Sequence, residues 1–156
     1  MMQWTFCLTC AIVLSTAFQA RAADVNGREF DLIQGHWNVV ECSFDGVALP
    51  IGQAPNGFFM YVDGAVLRCC FVVNQEPVEV RFFITVGPNA LPHAIDARVL
   101  TGAWSGRTLK GIYELRGDKL RLCLADRPDS PRPQKLGPNP ESQFFVLKRA
   151  SLESAR

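Results

Sequence analysis

Excess charge of either sign is missing from this chain. Its 156 residues hold 16 Lys and Arg against 15 Asp and Glu, a net charge of +1. Nucleic-acid binders gather basic residues on one face and reach a pI above about 9, whereas the pI here is ≈ 7.6. That balance argues against phosphate recognition as the main task, and no nucleic-acid partner is expected. Histidine is scarcer still. The two copies, His36 and His93, stand far apart without the close ligand spacing of a zinc site. His36 therefore reads as a strand-edge residue and His93 as a loop residue, and neither a metal nor a cofactor is expected. No G-x-S-x-G elbow, P-loop or G-x-G-x-x-G turn is present, and no cysteine stands visibly beside a histidine. These absences remove the recognisable routes to nucleophilic catalysis, metal catalysis and nucleotide binding.

What is present is the composition of a globular chain: 48% hydrophobic, 20% charged, with a mean hydropathy of +0.07. The N-terminus is an uncharged apolar run from Phe6 to Phe18, shorter than the roughly 20 residues that cross a bilayer. Ala20-Arg21-Ala22 then offers a small-x-small cleavage site. We read residues 1–22 as a signal peptide, 23–34 as a lead-in, 35–149 as one β-barrel domain and 150–156 as a tail. Export to the periplasm or the medium follows from that reading, with no membrane span left after cleavage near Ala22. Cys7 and Cys10 depart with the leader, leaving Cys42, Cys69, Cys70 and Cys123.

From Gly35 onward apolar residues recur with period two, and turn signals interrupt them about every ten residues. Strands are expected at Trp37–Phe44, Phe58–Val62, Val66–Val73, Val78–Val86, Ala94–Leu100, Thr108–Leu115, Lys119–Ala125 and Gln143–Arg149, with one helical turn over Asp31–Gln34. The fold class is all-β: about eight strands in an antiparallel meander, with a two-sheet sandwich as the alternative. Closure into a barrel removes the exposed edges of such a meander. Alternation puts Leu67, Cys69, Phe71 and Val73 inside, with Val78, Val80, Phe82 and Ile84, then Ile95, Ala97 and Val99, then Leu120, Leu122 and Leu124. Adjacent Cys69 and Cys70 take opposite faces. Cys42 and Cys123 are expected to face outward with the last strand between them, beyond the ~7 Å reach of a disulfide. At most one bridge is expected. The stretch Arg127–Pro140 holds five of the ten prolines and reads as a stiff connector, a lid or a partner-binding segment.

Two stretches carry a family resemblance. Ile33-Gln34-Gly35-His36-Trp37-Asn38-Val39-Val40, with Asp45-Gly46 and Leu49-Pro50, resembles the opening of an uncharacterised small-domain family described from planctomycete bacteria. Gly111-Ile112-Tyr113-Glu114-Leu115, Gly117-Asp118-Lys119-Leu120-Arg121-Leu122-Cys123, Arg132-Pro133 and Val146-Leu147-Lys148-Arg149 are similar to its second half. The resemblance spans Leu32–Arg149, and its middle, Phe58–Pro88, departs from the family's Lys-, Asp- and Gly-rich strands. Members are small and often exported and have no established activity. More loosely, Gly35-x-Trp37 with a basic residue ending the last strand resembles the lipocalin pattern. That pattern implies a lipocalin-like barrel whose end is plugged by Trp37, with Arg149 across its ring, both structural.

Three functions stay open. The first is a non-enzymatic barrel whose lining, including Leu67, Phe71, Val80, Phe82, Val99 and Leu122, holds a small hydrophobic molecule. The second is a solid barrel that meets an exported protein or the cell envelope through outer residues Phe59, Tyr61, Phe83 and Phe144. The third and least supported is a two-carboxylate hydrolase using Glu41, Glu79, Asp96 or Glu114.

Overall fold

The computed structural model describes residues 27–51, 57–87 and 91–151; the expected leader and most of the expected tail lie outside them. A short helix, α1, spans 27–33. Nine strands follow: β1 Gly35–Phe44, β2 Val47–Leu49, β3 Phe59–Asp63, β4 Val66–Val73, β5 Glu76–Gly87, β6 His93–Val99, β7 Thr108–Arg116, β8 Lys119–Ala125 and β9 Ser142–Arg149. Each pairs antiparallel with its neighbour in the order β2-β1-β3-β4-β5-β6-β7-β8-β9, and β1 also pairs with β9. Eight strands thus close into a barrel, and β2 is an extra strand at one rim. Among the described residues no helix is long and apolar enough to cross a membrane.

The turns explain the meander. Two-residue hairpin loops whose twist matches the strands need positive φ. Asp45 and Gly46 supply it at 50° and 77°, Asn74 and Gln75 at 52° and 70°, and Gly64 and Gly117 at 54° and 59°. Strands β4 and β8 agree with the expected ranges at both ends, and the other expected strands begin or end one or two residues away. Three expectations are corrected. The turn foreseen at Asp31–Gln34 is a helix that begins earlier and stops at Ile33. The segment after Asp45-Gly46, read as loop, forms β2. His93 opens β6 rather than lying in a loop.

A fourth correction concerns which way β1 faces. Opposite β9 the register runs Trp37↔Arg149, Val39↔Leu147, then Glu41↔Val146 and Cys42↔Phe145, so Val40 is an extra residue. Such a bulge reverses the alternation beyond it. Trp37 and Val39 point inward before the bulge, while Cys42 points inward after it and is buried in the core. Cys42 is therefore not outward-facing. Cys123 does face outward but is fully buried, because residues 126–141 fold back over the outside of the barrel and lay Leu136 on Ile112, Cys123, Phe144 and Val146. This proline-rich strap is tied down by Arg132. Its guanidinium donates to the Ile95 and Gly111 carbonyl oxygens at 2.9 and 2.6 Å and pairs with Asp96 at 2.7 Å. Phe144, expected on the exposed outer face, lies beneath the strap with 6% of its surface accessible.

Candidate functional site

One end of the barrel is sealed by side chains. Helix α1 lies across it, turning Ile33 into the core and packing Phe30 against it, an i, i+3 pair on one helical face. Trp37 is wholly buried, and its Nε1 donates to the Ile33 carbonyl at 2.9 Å. Arg149 stacks on the indole with its guanidinium carbon 4.2 Å from the ring centroid. The same guanidinium donates to the Gln34 and Leu32 carbonyls, both at 2.7 Å. One side chain thereby satisfies carbonyls left open at the helix C-terminus and places positive charge at the negative end of the helix dipole. Gly35 links the helix to β1 at φ 108°, and a Cβ there would meet Arg149 at 3.4 Å. The Gly-x-Trp spacing thus puts the backbone directly against the guanidinium. Tyr113 donates from its hydroxyl to Glu29 at 2.9 Å, and burial first, then that carboxylate, raises its pKa. Only about 20 Å³ of free space remains among Trp37, Leu67, Ile84, Tyr113 and Leu122.

The opposite half is hollow. A cavity of about 310 Å³ opens to solvent beside Phe44 and Trp104. Its wall is formed by Phe71 and Cys69 on β4, Val80 and Phe82 on β5, Val99 on β6, Leu109 on β7, Leu124 on β8 and Phe145 on β9. Phe58 and the 101–104 segment complete the rim. Phe44, Phe58 and Phe71 are shared with a second cleft of about 320 Å³ beneath β2. Phe58 meets Phe71 at 5.5 Å and Phe145 edge-on at 5.8 Å, so these rings form the wall between the two spaces.

The sequence-derived lining divides between the two halves. Phe71, Val80, Phe82 and Val99 line the cavity, whereas Leu67 and Leu122 belong to the packed end. Leu124 was missed although its alternation placed it inside, and Phe145 was missed although it shares a face with Leu147 and Arg149. Phe44 was hidden by the bulge, and Trp104 comes from a loop, where no period exists to read. Val73 reaches the outer end of β4 and is exposed.

Among the described residues no Lys, Arg, His, Asp or Glu side chain touches the cavity; the polar groups of its lining are the Thr101 hydroxyl, the Gln143 amide, the Cys69 thiol and the Trp104 indole N–H. Burial, with a smaller contribution from Cys70, pushes that thiol up to about 12, so it stays protonated at neutral pH. The four described cysteines are free. The carboxylates weighed for hydrolysis all lie on the outer face. Glu79 pairs with Arg81 at 2.8 Å, Asp96 with Arg132, and Glu114 with Arg116 at 2.6 Å and Arg121 at 3.3 Å. Glu41 and Glu114 do border one shallow outer depression, together with Arg116, Lys119 and Arg121. His36 sits outside, edge-on to Phe59 at 4.9 Å. His93 packs on Tyr113 at 5.3 Å with Nδ1 buried and unpartnered among the described residues. Among those residues no group of three or more His, Cys, Asp or Glu is placed to hold a metal. In comparisons with known proteins, no family model, curated protein or solved structure matches this chain.

Proposed function

We propose that this protein is an exported, non-enzymatic barrel that holds one small apolar molecule in the hollow half of its interior. The observation that carries this reading is a cavity of about 310 Å³, walled almost entirely by apolar side chains and closed at its far end by a packed plug. That volume lies at the small end of the range for small-molecule sites, and apolar walls with few polar groups are typical of them. Among the described residues the one titratable group in the wall is a thiol held protonated, which suits retention of a ligand better than chemistry on it. The resemblance to the planctomycete domain family supports export, and the Trp37–Arg149 plug supports a lipocalin-like character. Native mass spectrometry of the protein purified gently from its producing host tests the reading. The expected result is a chain beginning at Ala23 that carries an adduct released on denaturation. Val80→Trp, which fills the cavity, abolishes that adduct while the protein stays folded. A bare chain that also takes up no apolar probe overturns ligand binding.

A second reading, docking of an exported partner, is favoured by Tyr61 and Phe83, which stand exposed on the outer face of β3 and β5. Phe144 no longer contributes to it. Loss of a captured partner on Tyr61→Ser with Phe83→Ser, with the cavity adduct unchanged, would select this reading.

A further inference from the structure

The cavity is selective by charge as well as by polarity. A carboxylate, phosphate or ammonium moved from water into an apolar space keeps its charge only if a counter-charge or several hydrogen bonds replace its hydration. Among the described residues the wall provides no counter-charge: its polar groups are one hydroxyl, one amide, one thiol and, at the rim, the Trp104 indole N–H, which can only donate. Along the β4–β5, β5–β6 and β8–β9 seams the backbone of the wall is committed to the barrel ladder. Thr101 Oγ1 accepts from the Arg81 backbone N–H at 3.2 Å and keeps its own O–H to donate. The fullest polar group is Gln143, opposite Phe44 on β1 and Leu124 on β8. Among the described residues no side-chain hydrogen bond engages its amide, which can donate and accept at once.

We infer, on the premise that the cavity binds a ligand, that it takes an electrically neutral molecule with an apolar body and one hydroxyl, carbonyl or amine group set against the Gln143 amide. Free fatty acids, other organic anions and organic cations are rejected. The aromatic rings at the mouth favour a ligand body containing a ring, because edge-on aromatic contacts add to simple burial.

Two probes that share one ring system test this directly: neutral N-phenyl-1-naphthylamine and its sulfonate, 1-anilinonaphthalene-8-sulfonate. Each is titrated into the purified full chain and followed by fluorescence, with Val80→Trp marking the signal that belongs to the cavity. The neutral probe is expected to saturate, and the sulfonate to bind at least about tenfold more weakly. Gln143→Lys, which adds a cation at the polar position, is expected to reverse that order; Thr101→Lys serves in its place if Gln143→Lys does not fold. Equal or tighter binding of the sulfonate by the unaltered protein overturns the inference and leaves ligand binding standing. An unchanged preference in a folded Gln143→Lys protein overturns the role of Gln143. Failure of both probes to bind overturns the ligand-binding reading and the inference with it.

Discussion

The two halves of the barrel are built from the same strands and the same alternation, yet one is solid and the other hollow. The solid half has a plug. Helix α1 brings Phe30 and Ile33 over the opening, Trp37 fills the space below, and Arg149 joins the helix carbonyls to the indole ring. Among the described residues the hollow half has no such element. There β1 passes its Val40 bulge, leaves β3 after Asn38↔Phe59 and pairs with β2 instead. The strands therefore splay where no helix crosses them. Gly111 marks the waist between the halves. A Cβ there would meet Leu124 at 2.5 Å and the Cys123 carbonyl at 2.6 Å, so β7 and β8 approach closely only because it has no side chain. An eight-strand barrel is just wide enough to be filled by side chains or to hold one small ligand, and this one does both along its length.

The contrast is most sharply broken by removing the plug. Trp37→Ala empties a fully buried indole site and frees both its partners, and the expected loss is about 3–5 kcal/mol in denaturant-induced unfolding. A loss below about 1 kcal/mol would show that the sealed end is not the stabilising half. A matched pair of insertions compares the halves themselves. Val62→Trp, in the packed end, is expected to cost about 1–3 kcal/mol by overpacking, whereas Val80→Trp projects into the cavity and is expected to stay within about 1 kcal/mol of the parent. Equal costs would mean that the cavity is not open space.

The adjacent cysteines compare wall with outer surface. Cys69 is buried in the cavity wall with its thiol pushed up to about 12. Cys70 lies outside, half-buried against Glu79, where desolvation first and that carboxylate second raise it by a smaller amount. With a maleimide at pH 8 the native protein is expected to label at Cys70 first, and at Cys69 only after unfolding, as read by peptide mass mapping. The smallest effect lies outside the sealed end. Hydrogen bonding from Arg116, with Arg121 adding, holds the Glu114 carboxyl below its ordinary 4.5. A lowered folded-state pKa gives stability that is complete above the unfolded value and is lost as pH falls through the folded one. Glu114→Gln should therefore destabilise by less than about 1 kcal/mol at pH 7, and the difference should vanish near pH 2.

Much of this architecture was legible because period two and turn chemistry are local. The run Lys119–Ala125 and the run Val66–Val73 each declare a strand and its two faces without reference to anything distant. The Trp37–Arg149 pair was legible through the lipocalin-like pattern, with which barrel closure agrees because it makes the first and last strands neighbours. The candidate site was legible only in part. Phe71, Val80, Phe82 and Val99 could be placed inside, but nothing in their alternation separates the cavity from the packed end that holds Leu67 and Leu122. Phe144 was misassigned because a strap that covers an outer face leaves no mark on the strand beneath it.

The sequence by itself determined the class of fold, the order of the strands, most of their inward faces and the Trp37–Arg149 pair of the plug. Each of these follows from backbone geometry that a few neighbouring residues impose. The tertiary structure alone decided that β1 reverses its face at Val40, that residues 126–141 wrap the outside, and that the interior is filled at one end and empty at the other. Those outcomes depend on which distant side chains compete for the same space, and free volume is a property of the packed assembly that no single strand encodes.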